Sequence, residues 1–387
     1  MKSDNSDEPP SYFASLYLYH KAFIAGVFLS LCTLLIHFSL HNVYLTVFFS
    51  SFSIALLSIT VSRVAEALSH KLQEPYGSSV LTFSAVIVEI IILFMILYTS
   101  TNAQHALATV KGGIISAIIV DMNVLLGLAV FIGGLSFKEQ EHNEDTSSTY
   151  TTILLVASSA LLIPSVFKYA NGSNHHLVLL SNLIAIVLFC FYIVIVIFQT
   201  KTHQHFFKST LRNRTFRYQY GTDENEQNEI CDIFEMHNLY INFLTIFVLI
   251  AMIGFIAEIF ANDGMALVLK YHLPVGLAGL FIAIISVAPE IMTAIKAAQN
   301  DQIQRVINIA MGASTVSIML TVPSLVALSN IISTPLTLNF SPFQIGALIL
   351  TIILAWKTTD DGETNYFEGV SHLFFFVCYA IVVSLLQ

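Results

Sequence analysis

Long apolar runs separated by short polar segments make up most of the chain. A helix needs about 20 mainly apolar residues to cross the hydrocarbon core of a membrane. Eleven runs meet this requirement, near residues 19–39, 43–62, 78–100, 108–135, 150–169, 176–199, 238–260, 274–298, 306–329, 341–356 and 368–386. A β-barrel would instead show short alternating segments. The pattern predicts an all-α polytopic membrane protein, with the fourth and eighth helices long enough to need tilt or a break.

The composition excludes several classes of protein. Hydrophobic residues form 56% of the 387 positions and charged residues only 11%, against about 25% charged in a soluble domain. Such hydrophobicity excludes a disordered chain, and four scattered cysteines do not make a disulfide scaffold. The formal net charge of -9 argues against binding of nucleic acid, which needs clustered basic residues.

The basic residues indicate how the helices are oriented. If the N-terminus is cytoplasmic and the eleven helices alternate, thirteen Lys and Arg residues lie on the cytoplasmic side. Only Lys111, Lys168 and Lys270 lie outside, as the positive-inside rule requires. The acidic start of the chain is unlike a signal peptide, so the first run is kept as a helix. We therefore expect an integral membrane protein with its N-terminus cytoplasmic and its C-terminus outside.

Two glutamates lie in the middle of apolar helices, where a charge is expensive and usually functional. Glu89 is in the third predicted helix and Glu290 in the eighth. Setting the first helix aside, each is in the second helix of a five-helix block. Five is odd, so the two blocks enter the membrane from opposite sides, as the inverted repeats of secondary transporters do. The predicted division is 1–40 (tail and first helix), 41–199 (first repeat), 200–237 (cytoplasmic loop) and 238–387 (second repeat).

Small residues recur at similar positions in the two predicted repeats, and a proline lies beside one of the two glutamates. Gly112 and Gly113 come after Glu89 at nearly the spacing at which Gly312 follows Glu290. Small residues let helices approach closely and leave carbonyl groups open to an ion. Pro289 removes a helical hydrogen bond immediately before Glu290. We expect breaks in the helices at these four residues.

Two carboxylates at a midplane interface suit a hard cation, which prefers oxygen ligands. They also suit protons, because burial disfavours the charged form of a carboxyl group. Glu89 and Glu290 are therefore predicted to bind cation and protons in turn, with a purely structural role for both as the alternative. Further candidate ligands share an oxygen-bearing side chain near the two glutamates: Ser84, Ser286, Asp121, Asn123, Ser314 and Thr315.

The loop between the two blocks is basic at its start and acidic afterwards. It is either a solvated linker or a regulatory segment that collects cations on the cytoplasmic face. Its acidic candidates are Asp223, Glu224, Glu226, Glu229, Asp232 and Glu235.

Several segments resemble one known family. They are His70–Ser78 leading to Glu89, Phe137–Gln140, Leu161–Pro164, Phe198–Gln204, Pro289–Ala297, Asn300–Arg305 and Leu320–Pro323. Together they resemble the calcium/cation–proton antiporter family, and within it the bacterial ChaA type, from about residue 60 to the C-terminus. The resemblance implies that Glu89 and Glu290 bind the transported cation and protons. It also implies that the acidic segment 223–235 matches an acidic segment of the family.

The chain departs from the family pattern beside both glutamates. The family places Gly-Asn four and three residues before each glutamate, where this chain has Ala85-Val86 and Ser286-Val287. Two amide oxygens are therefore missing, and calcium prefers six to eight oxygen ligands. The predicted function is exchange of cytoplasmic Ca²⁺, with Na⁺ or K⁺ as further substrates, for protons. The alternative is mainly Na⁺ or K⁺ exchange with little Ca²⁺ transport.

Other classes fit the sequence less well. The chain has no HExxH, Walker or GxSxG motif, so we expect no enzyme and no cofactor. An intramembrane hydrolase built on the two glutamates and a cation channel are the remote alternatives. The expected partners are inorganic cations, protons and the lipid bilayer, and the sequence leaves a homo-oligomer open.

Overall fold

The computed structural model describes residues 12–71, 76–170, 172–203 and 238–386, and these are almost entirely helical. The α-helices are α1 (Tyr12–Leu35), α2 (Val43–Lys71), α3 (Tyr76–Thr99), α4 (Ala103–Ile119), α5 (Leu126–Phe137), α6 (Glu144–Tyr169), α7 (Asn174–Ile197), α8 (Leu239–Tyr271), α9 (Val275–Gln299), α10 (Ile303–Val316), α11 (Val322–Ile331), α12 (Pro342–Thr359) and α13 (Tyr366–Leu385). Within the described residues, ten continuous helices are long and apolar enough to cross a membrane, and α3 adds the shorter apolar stretch Phe83–Thr99. The predicted all-α membrane fold is confirmed.

Four segments of the described residues have π-helical geometry, and two of them lie inside membrane helices. Val120–Leu125 joins α4 to α5, and Ser317–Thr321 joins α10 to α11. The other two, Ile36–Leu40 and Phe198–Thr202, extend the ends of α1 and α7. Each internal segment follows a glycine, Gly112 in the first predicted repeat and Gly312 in the second, so the two lie at broadly similar positions in the repeats.

The core of the bundle lies around these two internal segments. In the continuous helix Ala103–Phe137, 83% of the most apolar 18-residue stretch is buried inside the bundle. In Ile303–Ile331, 78% of the corresponding stretch is buried. In Asn174–Thr202 and in Tyr366–Leu385, only 22% of the corresponding stretch is buried. The outer helices carry large exposed apolar side chains, such as Phe247 and Phe374, which suit a lipid environment. Polar groups on the two central helices are therefore far from lipid.

Polar residues define where several helices begin. Asn102 caps α4 by accepting a hydrogen bond from the backbone of His105. Ser341 with Gln344 forms a capping box at the start of α12, and Asn365 with Glu368 forms another at α13. These caps satisfy backbone N–H groups that a helix start would otherwise leave unpaired.

Helix α4 crosses α9 at a glycine contact. Gly279 of α9 packs so closely on Gly112 and Gly113 of α4 that a methyl group at Gly279 would lie 2.7 Å from Gly112 C and 2.5 Å from Gly113 N. Real Cβ atoms do not approach backbone atoms so closely, so this crossing requires glycine. The expectation that small residues let helices approach is confirmed for this pair.

The expected breaks at Gly112, Gly113, Gly312 and Pro289 are not present. Helix α4 runs through both of its glycines, α10 runs through Gly312, and α9 continues from Val275 to Gln299 with Pro289 inside it. Proline costs one backbone hydrogen bond, and the turns on either side of it hold the helical geometry. The departures from α-helix geometry come instead at the two internal π-helical segments, which begin after the glycines at Val120 and Ser317.

Contacts near the ends of the helices join segments that the sequence predicts to lie on the same side of the membrane. A two-stranded antiparallel sheet pairs β1 (Glu139–Glu141) with β2 (Glu363–Asn365), and both strands lie in loops predicted to be cytoplasmic. An ion pair joins Glu66 at the end of α2 to Arg305 at the start of α10, on the same side. At the opposite end, the Lys111 ammonium donates hydrogen bonds to Asn339 Oδ1 at 2.6 Å and Thr337 Oγ1 at 3.1 Å. The acidic candidates between 223 and 235 lie outside the described residues.

Candidate functional site

The two internal π-helical segments bring polar side chains into the centre of the bundle. Asp121 and Asn123 are in the first segment, and Ser317 and Thr321 are in the second. All four side chains are buried, with exposures between 0% and 6%. A π-helical segment displaces side chains and backbone from regular spacing and is frequent at functional sites.

Glu89 of α3 is held by hydroxyl groups of the opposite repeat. Ser317 Oγ donates to Glu89 Oε1 at 2.6 Å, and Thr321 Oγ1 donates to Glu89 Oε2 at 2.7 Å. Both carboxylate oxygens therefore have a hydroxyl donor. The predicted repeats meet at this residue, because the carboxylate belongs to the first and its donors to the second.

Asp121 makes a similar contact between the two central helices. Ser314 Oγ of α10 donates to Asp121 Oδ2 at 3.1 Å. The other carboxylate oxygen, Oδ1, is buried without a hydrogen-bond partner, and the residue is 2% exposed. An acid of the first repeat again receives a hydroxyl group of the second.

Glu290 of α9 borders a narrow internal cavity. Its Oε2 atom is buried and has no hydrogen-bond partner among the described residues. Serine side chains from α2 and α3, as well as Ser286 of its own helix, line the same cavity. The polar lining residues are Ser58, Ser62, Ser84, Ser286 and Glu290. The predicted ligands Ser84 and Ser286 are thus brought together with Glu290.

The three carboxyl groups lie inside the helical bundle, each beside hydroxyl-bearing side chains. Within the described residues, no three His, Cys, Asp or Glu side chains are placed closely enough to hold one metal ion together. The site therefore consists of individual carboxylates, each beside hydroxyl groups. Such oxygens can bind a hard cation or a proton.

Two other candidates have different surroundings. Asn123 donates to Thr351 Oγ1 at 3.0 Å and its Oδ1 lies 3.0 Å from His372 Nδ1, so its amide joins the first π-helical segment to α12 and α13. Thr315 is buried and its hydroxyl has no partner. The side chain of Asn123 also donates to the Ile119 carbonyl at 3.1 Å, so its described hydrogen bonds go to its own helix and to α12 and α13.

Sequence reasoning missed Ser317 and Thr321 as partners of Glu89. A hydroxyl residue in an apolar helix is common, since Ser and Thr also pack between helices. The available signal was their spacing: Ser317 and Thr321 are one helical turn apart and follow Ser314 along the same helix. Because Glu89 and Ser317 are far apart in the sequence, the sequence alone gave no indication that they are in contact.

A family model described as sodium/calcium exchanger protein matches residues 38–201 and 241–385. These two segments cover most of the chain and leave out the loop between the predicted repeats. The match confirms the resemblance inferred from the sequence. The family is one of exchangers, which also confirms that the chain is not an enzyme.

Curated relatives are similar over most of their length. The sodium-potassium/proton antiporter ChaA of Escherichia coli is 27% identical over 328 residues, covering 84% of this chain and 85% of the relative. A Ca²⁺/H⁺ antiporter of Synechocystis is 27% identical over 286 residues, covering 72% of this chain and 75% of the relative.

Solved structures share the fold. The structure of native YfkE superposes with a TM-score of 0.75 at 21% identity, covering 95% of this chain and all of that one. The crystal structure of the H⁺/Ca²⁺ exchanger CAX gives a TM-score of 0.67 at 14% identity, covering 95% of this chain and 92% of that one. The agreement extends over nearly the whole described bundle.

Proposed function

Because the chain belongs to the sodium/calcium exchanger protein family, we propose that it exchanges a cytoplasmic cation, Ca²⁺ and also Na⁺ or K⁺, for protons. The observation that carries the proposal is the contact between Glu89 of α3 and the hydroxyl groups of Ser317 and Thr321. A carboxylate is thereby held at the interface of the two repeats, in the same core as Glu290. Both glutamates bind the cation and the protons in turn.

Competition between the two ligands follows from the surroundings of the glutamates. A buried carboxylate is costly without a compensating charge, which either a cation or a proton removes. Glu89 and Glu290 therefore load protons when the cation leaves and lose them when it returns. No covalent step is required. The hydroxyl groups beside each carboxylate, including Ser84 and Ser286, replace water molecules of the cation's hydration shell.

Alternating access needs the site to open to one side at a time. The proposed division into repeats 41–199 and 238–387 places Glu89 and Glu290 on opposite sides of the repeat interface, which suits rocking or sliding of one helix group against the other. We assign the N-terminus to the cytoplasm and the C-terminus to the outside, from the distribution of basic residues. The acidic loop 223–235 then faces the cytoplasm.

A second candidate function is exchange of mainly Na⁺ or K⁺. It is favoured by the similarity over 84% of the chain to a protein named a sodium-potassium/proton antiporter. The same two glutamates would serve this function, since Na⁺ and K⁺ also take oxygen ligands. The two functions differ in the cation that drives proton movement.

The test uses the full chain reconstituted in liposomes with a pH gradient and a pH-sensitive dye. We expect Ca²⁺, and Na⁺ or K⁺ at higher concentration, to dissipate the gradient with the native chain. Glu89→Gln and Glu290→Gln should each abolish this response, because a neutral amide can neither carry a proton nor balance a cation.

The matched control is Glu144→Gln, which makes the same change at an exposed residue in the first turn of α6. It should exchange cations like the native chain. Incorporation into liposomes and a single size-exclusion peak verify that each variant is folded. Substantial exchange by either Glu89→Gln or Glu290→Gln would remove the proposal.

A further inference from the structure

One face of α2 leads from the cavity beside Glu290 toward the helix end that we assign to the cytoplasm. Ser58 and Ser62 of α2 line that cavity. Glu66 follows Ser62 by four residues, and side chains four residues apart lie on the same face of a helix, one turn apart. Glu66 is therefore the first charged residue on this face beyond the cavity.

The carboxylate of Glu66 is paired with a guanidinium group from the other predicted repeat. Arg305, at the start of α10, donates a hydrogen bond to Glu66 Oε1. In the described part of the chain, α2 and α10 make few other contacts along their lengths. The ion pair therefore bridges two helices that otherwise lie apart, at the end of the serine face.

The cavity beside Glu290 is too small to be an entry route by itself. Its volume is about 10 Å³, which is room for about one water molecule. A hydrated cation must therefore reach Glu290 by a path that opens between helices, and must exchange its water for protein oxygens on the way. Ser58, Ser62 and Glu66 offer such oxygens in one row. The Ser58 hydroxyl donates to the Ile54 carbonyl at 2.7 Å, which leaves its lone pairs available to an ion.

We propose that Glu66 is an entrance site that captures inorganic cations from the cytoplasm, and that the Arg305 guanidinium occupies this site until a cation replaces it. This inference rests on the proposed exchange function. Arginine stays positively charged at any physiological pH, so its guanidinium is a permanent stand-in for a cation on the carboxylate. The captured cation then passes along the serine face of α2 to Glu290.

The exposure of the pair allows this replacement. The side chain of Arg305 is 41% exposed and that of Glu66 is 33% exposed, so ions reach both from solvent. A partly exposed ion pair is weak and is screened by salt. A divalent cation carries twice the charge of the guanidinium and is attracted correspondingly more strongly at the same distance. Because the pair joins the two predicted repeats, its replacement also removes a contact between them when a cation arrives.

The test measures cation-driven proton movement in everted membrane vesicles that contain the full chain, with vesicles lacking it as the blank. The cytoplasmic face is outside in these vesicles, and Ca²⁺ and K⁺ are added separately. Glu66→Gln should raise the half-saturating cation concentration by about tenfold with little change in the maximal rate, because a charged entrance raises the rate of encounter. Glu66→Asp, which keeps the charge, should stay close to the native chain.

The partner residue should give the opposite result. Arg305→Gln should lower the half-saturating concentration several-fold, because no guanidinium then competes for Glu66. Arg305→Lys, which keeps a positive charge, should restore a value near that of the native chain. An ion pair with a purely structural role would instead make both neutral variants transport less well.

The matched control is Asp360→Asn, since Asp360 forms another ion pair, with Lys357 at the end of α12. It should leave both the half-saturating concentration and the maximal rate unchanged. Glu66→Ala gives a second neutral variant if the glutamine variant does not fold, and it should raise the half-saturating concentration to a similar extent.

Three results would overturn the inference: an unchanged half-saturating concentration in the neutral variants of Glu66, a half-saturating concentration that Arg305→Gln does not lower, or loss of the maximal rate in folded Glu66→Gln. Each is distinct from failure of the proposed function, which fails if Glu89→Gln or Glu290→Gln still exchanges cations. If those two variants are inactive and the Glu66 variants behave like the native chain, the exchange proposal stands and the entrance inference falls.

Discussion

At the scale of single residues, the core pairs acids of one repeat with hydroxyl groups of the other. Glu89 accepts from Ser317 and Thr321, and Asp121 accepts from Ser314. Hydrogen bonds to an ionised carboxylate are shorter and stronger than those between neutral groups. The hydroxyl groups therefore stabilise the ionised form of Glu89, which is the form that we propose to bind a cation.

Removing these donors should weaken cation binding. We expect Ser317→Ala and Thr321→Val each to raise the half-saturating cation concentration by roughly tenfold, because a hydrogen bond to a charged group contributes about 1.5–3 kcal/mol. The double variant should be weaker than either single one. Cation-driven proton movement in proteoliposomes measures the change.

The control for these variants is Thr151→Val in α6, whose hydroxyl donates only to the Ser147 carbonyl of its own helix. It should bind cations like the native chain. Unchanged half-saturation in both Ser317→Ala and Thr321→Val would show that the hydroxyl groups do not support Glu89 during transport.

The sequence identified the acids of this core and Ser314, the partner of Asp121, but not Ser317 and Thr321, the partners of Glu89. Glu89, Glu290 and Asp121 were found because a charge in an apolar helix is rare and costly. Ser317 and Thr321 carry no such signal, since hydroxyl groups in membrane helices also bond to their own backbone. Asn123 was predicted as a ligand candidate because its side chain bears an oxygen, and this side chain instead bonds to Thr351 and lies beside His372.

At the scale of helices, the site depends on how α4 is held against α9. Gly279 lies directly on the backbone of α4 at Gly112 and Gly113. Asp121 lies in the π-helical segment that continues α4, and Glu290 lies further along α9, so we expect this crossing to influence their separation. A change in the crossing would move both acids.

A methyl group at Gly279 should therefore force the two helices apart. We expect Gly279→Ala to destabilise the protein by about 1–3 kcal/mol, as overpacking of a close contact does, and to reduce exchange. Thermal unfolding in detergent measures the first effect, and the proteoliposome assay measures the second.

Gly346→Ala in α12 is the matched control, because a methyl group there would meet no atom within 4 Å. It should unfold at the native temperature or slightly higher, since alanine favours helix over glycine by up to about 1 kcal/mol. Equal stability of the two variants would mean that the α4–α9 crossing tolerates separation.

The sequence predicted irregular backbone geometry in these helices, but at the wrong residues. Glycine and proline are the residues that usually interrupt a helix, so breaks were expected at Gly112, Gly113, Gly312 and Pro289. The glycines instead serve the crossing or lie within regular helix, and the π-helical segments begin at Val120 and Ser317. A π-helical segment depends on packing around the helix and has no fixed residue signature.

At the scale of the whole molecule, two helical halves share one polar core inside a shell of apolar helices. The number of membrane helices and the membrane class followed from hydropathy alone, because a span needs a minimum length of apolar residues. The β1–β2 pairing at one end and the contact of Lys111 with Asn339 at the other each join segments that the basic residues assign to the same side of the membrane. The repeat boundaries and the orientation of the termini stay predictions.

The central claim is that cation and protons compete for Glu89 and Glu290, and proton release on cation binding tests it most directly. Purified protein in weakly buffered detergent near neutral pH would be titrated with Ca²⁺ and with K⁺ while a dye reports protons and calorimetry reports binding. The native chain should release protons in proportion to bound cation, and the Glu89→Gln/Glu290→Gln double variant should release none. Cation binding by the native chain without proton release would contradict the account.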